Sequence, residues 1–369
     1  MGKIITKKGI LLQLLPCGIL LLLSALCILS CVHKTNLLDS QYEWKRWQGE
    51  SEDEYAQISV FLPESASLGT EGINSFRSDM MKAFTEASLD TTNIPFRDAW
   101  SSFGSIGVTS DKANSAVPVI AVGGHFFDFH PLRLLHGTYI SEDDADRSRI
   151  VLDEQLAWFL FGSSDVAGMQ IKVGEGTFTV AGTVAHESDK ASKKAYPYEM
   201  CLYMNYDAYR SITSFTENSE GNTPAAPVTC YEVVMPNPVK NFAVNIVSEK
   251  FPVKQREVVV NSERYSVGNL FAIAKDFAAR AMSAGVAFPY WENAARYNDN
   301  KMATLSVISA ILLISPFLTA AVIIIRTLVH NHNLLHDVYL PEMKEKTEEA
   351  VRSSQRRRWL RRHNASEEE

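Results

Sequence analysis

Two apolar segments limit what this chain can become. Residues 9–32, "GILLQLLPCGILLLLSALCILSCV", and residues 302–325, "MATLSVISAILLISPFLTAAVIII", each run for 24 residues without a charge. A bilayer core of about 30 Å needs about 20 apolar residues in a helix, so both segments predict spanning helices. Pro16 and Pro316 lie inside them, and membrane helices tolerate proline. The first segment has a second reading as a cleaved signal peptide or, through "ILSC", as a lipoprotein signal lipidated at Cys31. It is longer than the usual apolar region of about 7–15 residues in a signal peptide. An uncleaved anchor is therefore the expectation.

Charge orients the two segments. Lys3, Lys7 and Lys8 precede the first, and the tail after the second carries nine basic and eight acidic residues. Basic residues flanking a span favour the cytoplasmic side. The expected layout is a cytoplasmic N-terminus (1–8), a first span (9–32), an outer domain (33–301), a second span (302–325) and a cytoplasmic tail (326–369). The expected location is the plasma membrane, crossed twice. Tyr42, Trp44, Trp47, Tyr290, Trp291 and Tyr297 lie at the outer flanks and read as interfacial anchors. The first residues carry +3 and the tail +1 of a net −7, which leaves the outer stretch at about −11. A domain that acidic is a poor nucleic-acid binder. The tail reads as a charged helix whose basic cluster, Arg356 to Arg362, suits an anionic inner leaflet or plain solvent. The glycosylation-type triplet at 364–366 falls on the cytoplasmic side and carries no weight.

Within the outer stretch, "AQISVFLP" alternates as a strand does, and "GINSFRSDMMKAFTEASL" spaces Ile73, Phe76, Met80, Met81 and Phe84 as a helix does. "VPVIAVGGHFFDFH" predicts a strand entering a turn, and "SRIVLDEQLAWFLFG" a strand and a helix ended by Gly162. "AGMQIKVGEGTFTVAGTVAH" predicts a hairpin, and "MCLYMNYDAYRSI" a strand and a helical turn. Residues 211–229 are polar and rich in Gly, Pro, Ser and Thr, so they predict a surface loop. "CYEVVMP", "PVKNFAVNIVSEKF" and "REVVVNS" follow as strand, helix and strand. "SVGNLFAIAKDFAARAMSAG" predicts a helix leading to the second span. Strand–helix units thus flank a β-rich insertion of about 105–215, an α+β class in two subdomains. Cys201 and Cys230 are the outer stretch's two cysteines and fall in apparently neighbouring strands. They are either paired or free.

No phosphate-binding loop, nucleophile elbow, zincin motif or dinucleotide fingerprint is present. The remaining chemistry-bearing cluster is Glu142, Asp143, Asp144 and Asp146, with His125, Asp128, His130 and His136 upstream. Carboxylate and imidazole suit several divalent ions, but the spacing matches no metal motif. Ser and Asp also favour turns and caps, and Arg147 and Arg149 partly neutralise the acids. A solvated turn is the expectation. No catalytic, cofactor-binding or metal residue is assigned, and the chain is read as a non-enzyme.

The run around this cluster carries a pattern: Leu134, Leu135, Gly137, Asp144, then Ile150-Val151-Leu152, Ala157, Leu160-Phe161-Gly162, Gly168, Ile171, Phe178, Val180, Gly182 and Val184. Over about residues 117–186 it resembles the MacB-like periplasmic core domain of ABC-transporter permeases, the type VII or mechanotransmission group. The resemblance implies a porter-like subdomain with a β-rich one inserted. It makes Gly137, Asp144, Ala157, Leu160, Phe161, Gly162, Gly168 and Gly182 fold determinants. It implies as partners the lipid bilayer, a separate cytoplasmic ABC ATPase and a second permease chain, in a hetero- or homo-oligomeric complex. No cofactor is implied. Two departures stand out: "GT" at Gly137-Thr138 replaces the usual "GR", and two spans stand where the group has four. An alternative of another class is a membrane-anchored adaptor or sensor without ATPase coupling.

Overall fold

A computed structural model describes residues 7–35, 38–50, 54–91, 95–213, 226–276 and 286–365. The chain divides into two compact units, Cys31–Thr304 and a second made of Met1–Ser30 with Leu305–Glu369.

The larger unit is organised on one ten-stranded sheet. In chain order its elements are α2 (Glu43–Gln48), β1 (Tyr55–Phe61), α3 (Thr70–Glu86), β2 (Arg97–Thr109), β3 (Asn114–Gly124), α4 (Phe126–Phe129), β4 (Leu134–Gly137), β5 (Arg149–Asp153), α5 (Glu154–Phe161), β6 (Gln170–Val173), β7 (Gly176–Val184), α6 (Lys190–Ala195), β8 (Leu202–Asn205), α7 (Tyr206–Thr213), β9 (Cys230–Pro236), α8 (Phe242–Lys250), β10 (Glu257–Val260) and α9 (Val267–Lys275). Helix α10 (Tyr290–Leu334) starts here and continues into the second unit, which also holds α1 (Lys7–Thr35, up to Ser30) and α11 (Leu340–Ala365).

The strand order is β10-β1-β9-β2-β3-β8-β5-β7-β4, with β6 pairing both β2 and β7. β3–β8 and β5–β7 are parallel and the other pairs antiparallel. Strand side chains alternate between two faces, and here both faces are buried. Ile58, Val60, Val119, Ala121, Ile150, Leu152, Tyr231 and Val233 point to a core under α3, α5, α7 and α8. Phe61, Ile120, Val122, Val151, Tyr203, Cys230 and Val234 point to a second core with Phe126, Phe129, Tyr290 and Trp291. A sheet covered on both sides reads as near-continuous apolar strands, which is why "CYEVVMP" shows no alternation. Helix α3 buries Ile73, Phe76, Met80 and Phe84, spaced three and four apart, and Phe76 meets Tyr231 and Phe251 edge-on at 5.6 and 5.0 Å.

Strand β2 has no counterpart in the sequence reading. Its "RDAWSSFGSIGVT" is diluted by Ser and Gly, yet it pairs β3 continuously from Ala99 to Thr109 and also touches β6 and β9. The polar stretch after the first apolar segment is also ordered, as a 3-10 turn and α2. The predicted loop at 211–229 lies largely outside the described residues, as does the predicted helix beyond Asp276.

The fold overturns two expectations. Tyr290 and Trp291, read as interfacial anchors, are 3 % and 2 % exposed and belong to the second core. Cys201 and Cys230 do not occupy neighbouring strands. Cys201 leads into β8 and Cys230 opens β9, and β2 and β3 lie between those strands. Three inter-strand spacings of about 4.8 Å separate them, beyond disulfide reach. Both thiols are free and buried.

In the second unit, α1 and α10 are long and apolar enough to cross a membrane. Leu15, Leu22 and Leu29 of α1, and Ile314, Phe317 and Leu318 of α10, are all more than half exposed. That surface would be unstable in water and suits lipid. Ser24 Oγ donates to the Ser309 carbonyl at 3.0 Å, a helix–helix contact of the small-polar kind common in membranes.

Candidate functional site

The face of the sheet that carries α10 also carries polar residues where apolar ones would be expected. In β1 and β9, Ser59 and Glu232 are directly paired in register. They are 1 % and 3 % exposed, and Ser59 Oγ donates to Glu232 Oε1 at 2.8 Å. The other carboxylate oxygen sits 2.5 Å from His130 Nε2. His130, just after α4, is 2 % exposed and lies against Phe126 and Trp291, with ring centroids 4.5 and 4.3 Å away. A buried carboxylate is tolerated only when charge-paired or hydrogen-bonded, and each oxygen of Glu232 has a partner, Ser59 on one and the His130 ring on the other.

The chain of contacts continues from Ser59. Asn261 Nδ2 donates to Ser59 Oγ at 2.7 Å, and Arg264 Nη1 donates to Asn261 Oδ1 at 2.9 Å. Asn261 opens a 3-10 turn directly after β10, and that turn aims Arg264 inward. Arg264 is 1 % exposed. It grips Glu292 with both terminal nitrogens at 2.8 Å and Asp299 with Nε at 3.0 and 3.1 Å. Its Nη1 also donates to Gln41 Oε1 at 3.2 Å. Glu292 accepts from Arg296 Nε at 2.7 Å, and Arg296 pairs with Glu257 of β10.

Glu292, Arg296 and Asp299 follow helical spacing and share one face of α10, the face against β10 and the Gln41 turn. Burial alone would pull the Arg264 guanidinium down, but Asp299 and Glu292 overcome it and hold it well above its ordinary value. The arrangement is a clamp. It fastens the first turns of α10 to β10, β1 and β9 and, through Gln41, to the segment before α2. The signal was present in the sequence as an acid–base–acid series at 292, 296 and 299 ahead of an apolar run, and a sequence reading centred on nearby aromatics missed it.

The acidic cluster at 142–146 does not converge on one point. Glu142 pairs with Arg77 of α3 at 2.9 and 3.0 Å, and Arg77 also grips Asp98 of β2 at 2.7 and 2.8 Å. Tyr231 Oη donates to Asp98 at 2.9 Å. Asp144 accepts from Arg149 and from the Ser141 amide, Asp146 from Ser148, and Asp143 is exposed. These are turn and ion-pair roles. His125 lies 3.4 Å from Asp128 at the surface, His136 lies 3.6 Å from Asp165, and His130 is inside with Glu232. No shared ligand sphere forms among them.

The pattern residues take packing positions. Ala157 and Leu160 are buried on α5, Phe161 packs against the first core, and Gly162 ends the helix in the left-handed conformation. Gly137 has φ +75, and a Cβ there would stand 2.1 Å from the Ala181 carbonyl oxygen. A Cβ on Gly182 would meet the His136 and Thr138 carbonyl oxygens at 2.6 Å. Strands β4 and β7 can approach only because both positions lack a side chain. Gly168 has φ +87 in open space.

Among the described residues, Asp153, His186 and Cys201 hold ligand-type atoms within 4.8 Å of one another. Asp153 is already engaged: Oδ1 caps α5 by accepting from Leu156 N at 2.6 Å, and Oδ2 accepts from the Cys201 amide and lies 3.0 Å from His186. Its role is to tie β5, α5, β8 and the segment after β7 together.

The model of the MacB-like periplasmic core domain matches residues 51–243. Among solved structures, the periplasmic region of MacB from Actinobacillus actinomycetemcomitans is similar at 17% identity, covering 59% of this chain and 92% of its own, with a TM-score of 0.37. The extracellular domain of the noncanonic ABC-type transporter YknZ from Gram-positive bacteria is similar at 13% identity, covering 55% of this chain and 99% of its own, with a TM-score of 0.36. No curated protein matches the chain.

Proposed function

Because this chain belongs to the MacB-like periplasmic core domain family, a transporter-type family, we propose that it is a membrane subunit whose outer domain is coupled to a separate cytoplasmic ABC ATPase. In this reading α1 and α10 cross the membrane, both termini are cytoplasmic, and residues 33–301 lie outside with 105–215 as the β-rich insert. Displacement of α10, driven by the ATPase, passes to the sheet and moves an outer surface that binds or displaces a client. A second permease chain is a further partner in this reading.

The observation that carries this reading is the Arg264 clamp. A helix that only anchored the domain would need an apolar seat. Arg264, Glu292 and Asp299 instead form a directional, buried grip on α10. Ion pairs in such settings are costly to desolvate and serve specificity of register better than stability. A part that must move with its helix and not slide along it has use for such a grip.

Affinity purification of the full chain in mild detergent, followed by identification of what accompanies it, tests the proposal. Recovery of an ATP-binding-cassette protein in stoichiometric amount is expected. Recovery of receptors or surface enzymes with no such ATPase would favour the adaptor or sensor reading instead.

A further inference from the structure

Helix α9 is apolar on two sides, and among the described residues one of them is covered by protein. Leu270 and Ile273 are buried against Met302 and Ala303 of α10. Val267 and Phe271, four apart on the other side, are 72 % and 42 % exposed. Gly268 and Ala272 beside them are also exposed. The nine residues carry no acid and a single charge, Lys275, at the end of the helix. Ser266 Oγ caps its start by accepting from Asn269 N.

The level at which α9 sits identifies what covers it. Met302 and Ala303 are the first residues of the 24-residue apolar run of α10. Cys31, at the end of the other apolar segment, lies 3.9 Å from the Met302 carbonyl oxygen through its Sγ. Cys31 and Met302, at the ends of the two apolar segments, therefore belong to the same unit as α9. We infer that α9 is an interfacial helix that lies in the outer leaflet, with Val267 and Phe271 inserted among the lipid chains. A short helix with a continuous apolar face and a terminal Lys whose ammonium reaches the headgroups fits that position. It would fix the height of the Arg264 clamp relative to the bilayer, because only Tyr265 and Ser266 separate Arg264 from α9. The inference rests on residues 302–325 spanning the membrane and is independent of ATPase coupling.

Phe159 on α5 is the matched control, since it too is 42 % exposed. Strand β2 starts beside α2, with Arg97 over the Trp47 ring at 4.1 Å, and its far end leads to Ser110, which donates to the Leu160 carbonyl at 2.7 Å. Thirteen residues at about 3.3 Å each put roughly 40 Å between those ends.

The test places p-benzoylphenylalanine at position 271, 159 or 318 of the full chain in nanodiscs of dioleoylphosphatidylcholine and dioleoylphosphatidylglycerol. After irradiation, intact mass reports covalent lipid adducts. Adducts at 318 and 271 are expected, with about tenfold fewer at 159, as interfacial insertion requires. Adducts at 318 with no more at 271 than at 159 would overturn the inference. So would a chain–chain cross-link at 271 in place of lipid, which would assign the face to a second copy. Absence of adducts at 318 would remove the spanning premise and the inference with it.

Discussion

Arg264 holds Glu292 by two hydrogen bonds of 2.8 Å, one from each terminal nitrogen, and each residue is 1 % exposed. With Asp299 on its third nitrogen, one guanidinium joins both carboxylates at the base of α10, and Arg296 shares Glu292 with it.

Removing that guanidinium takes from Asp299 and Glu292 the buried charge that joins them, while Arg296 stays on Glu292. Arg264→Met is expected to destabilise the outer domain by about 3–5 kcal/mol, the usual range for breaking a buried pair from one side. Combining it with Glu292→Gln should cost less than the sum of the two single changes, because neighbours in one network are not additive. Denaturant unfolding of the three variants in detergent checks both statements. Strict additivity would show that the contact contributes nothing of its own.

Gly137 and Gly168 both adopt positive φ, but only at Gly137 would an added Cβ meet a backbone oxygen, at 2.1 Å. Gly168→Ala meets left-handed strain alone, of order 1–3 kcal/mol at most. Gly137→Ala adds a clash that forces β4 and β7 apart, so it should lower the melting temperature clearly more than Gly168→Ala does. Equal shifts would refute the close approach of β4 and β7 as the reason for glycine at 137.

Glu187 accepts a hydrogen bond from Tyr196 at 2.9 Å. Burial raises its pKa, against the lowering effect of that bond. A carboxyl whose folded pKa exceeds its unfolded value adds stability that is complete below the unfolded pKa and is lost as pH rises through the folded pKa. Glu187→Gln stays neutral throughout, so it should gain on the parent as pH rises. Melting temperatures of both proteins between about pH 4 and pH 8 decide this. A difference that shrinks toward the alkaline end would contradict it.

Cys201 and Cys230 are held apart by β2 and β3, and burial raises both thiols well above their ordinary range. Alkylation of these two should require unfolding, and reductant should leave the melting temperature unchanged. A mobility difference between oxidised and reduced chains that disappears in the Cys201→Ser variant would contradict the strand order.

Much of this architecture was legible in the residues. The two uncharged runs marked α1 and α10, the spacing of Ile73, Phe76, Met80 and Phe84 marked α3, and the Gly and Leu-Phe positions around 137–182 carried the family resemblance. What escaped has physical reasons. Strand β2 hid because Ser and Gly weaken alternation, although its long pairing with β3 secures it. The aromatics at 290 and 291 looked like membrane anchors because sequence reports amphipathic chemistry and not which side of a sheet a helix lands on. Glu232 and Ser59 meet across a register that no local pattern specifies. The clamp joins positions 41, 261, 264, 292 and 299, and such long-range pairings become visible only when the chain is folded.

The most direct measurement is hydrogen exchange on the chain purified with the proposed ATPase, compared with and without ATP and vanadate. Coupling through the clamp predicts that nucleotide changes protection together in residues 290–304 and in the 257–264 segment. In Arg264→Met the change at 257–264 should disappear while ATP turnover persists. Identical exchange in both nucleotide states, or a change at 257–264 that survives the loss of Arg264, would contradict it.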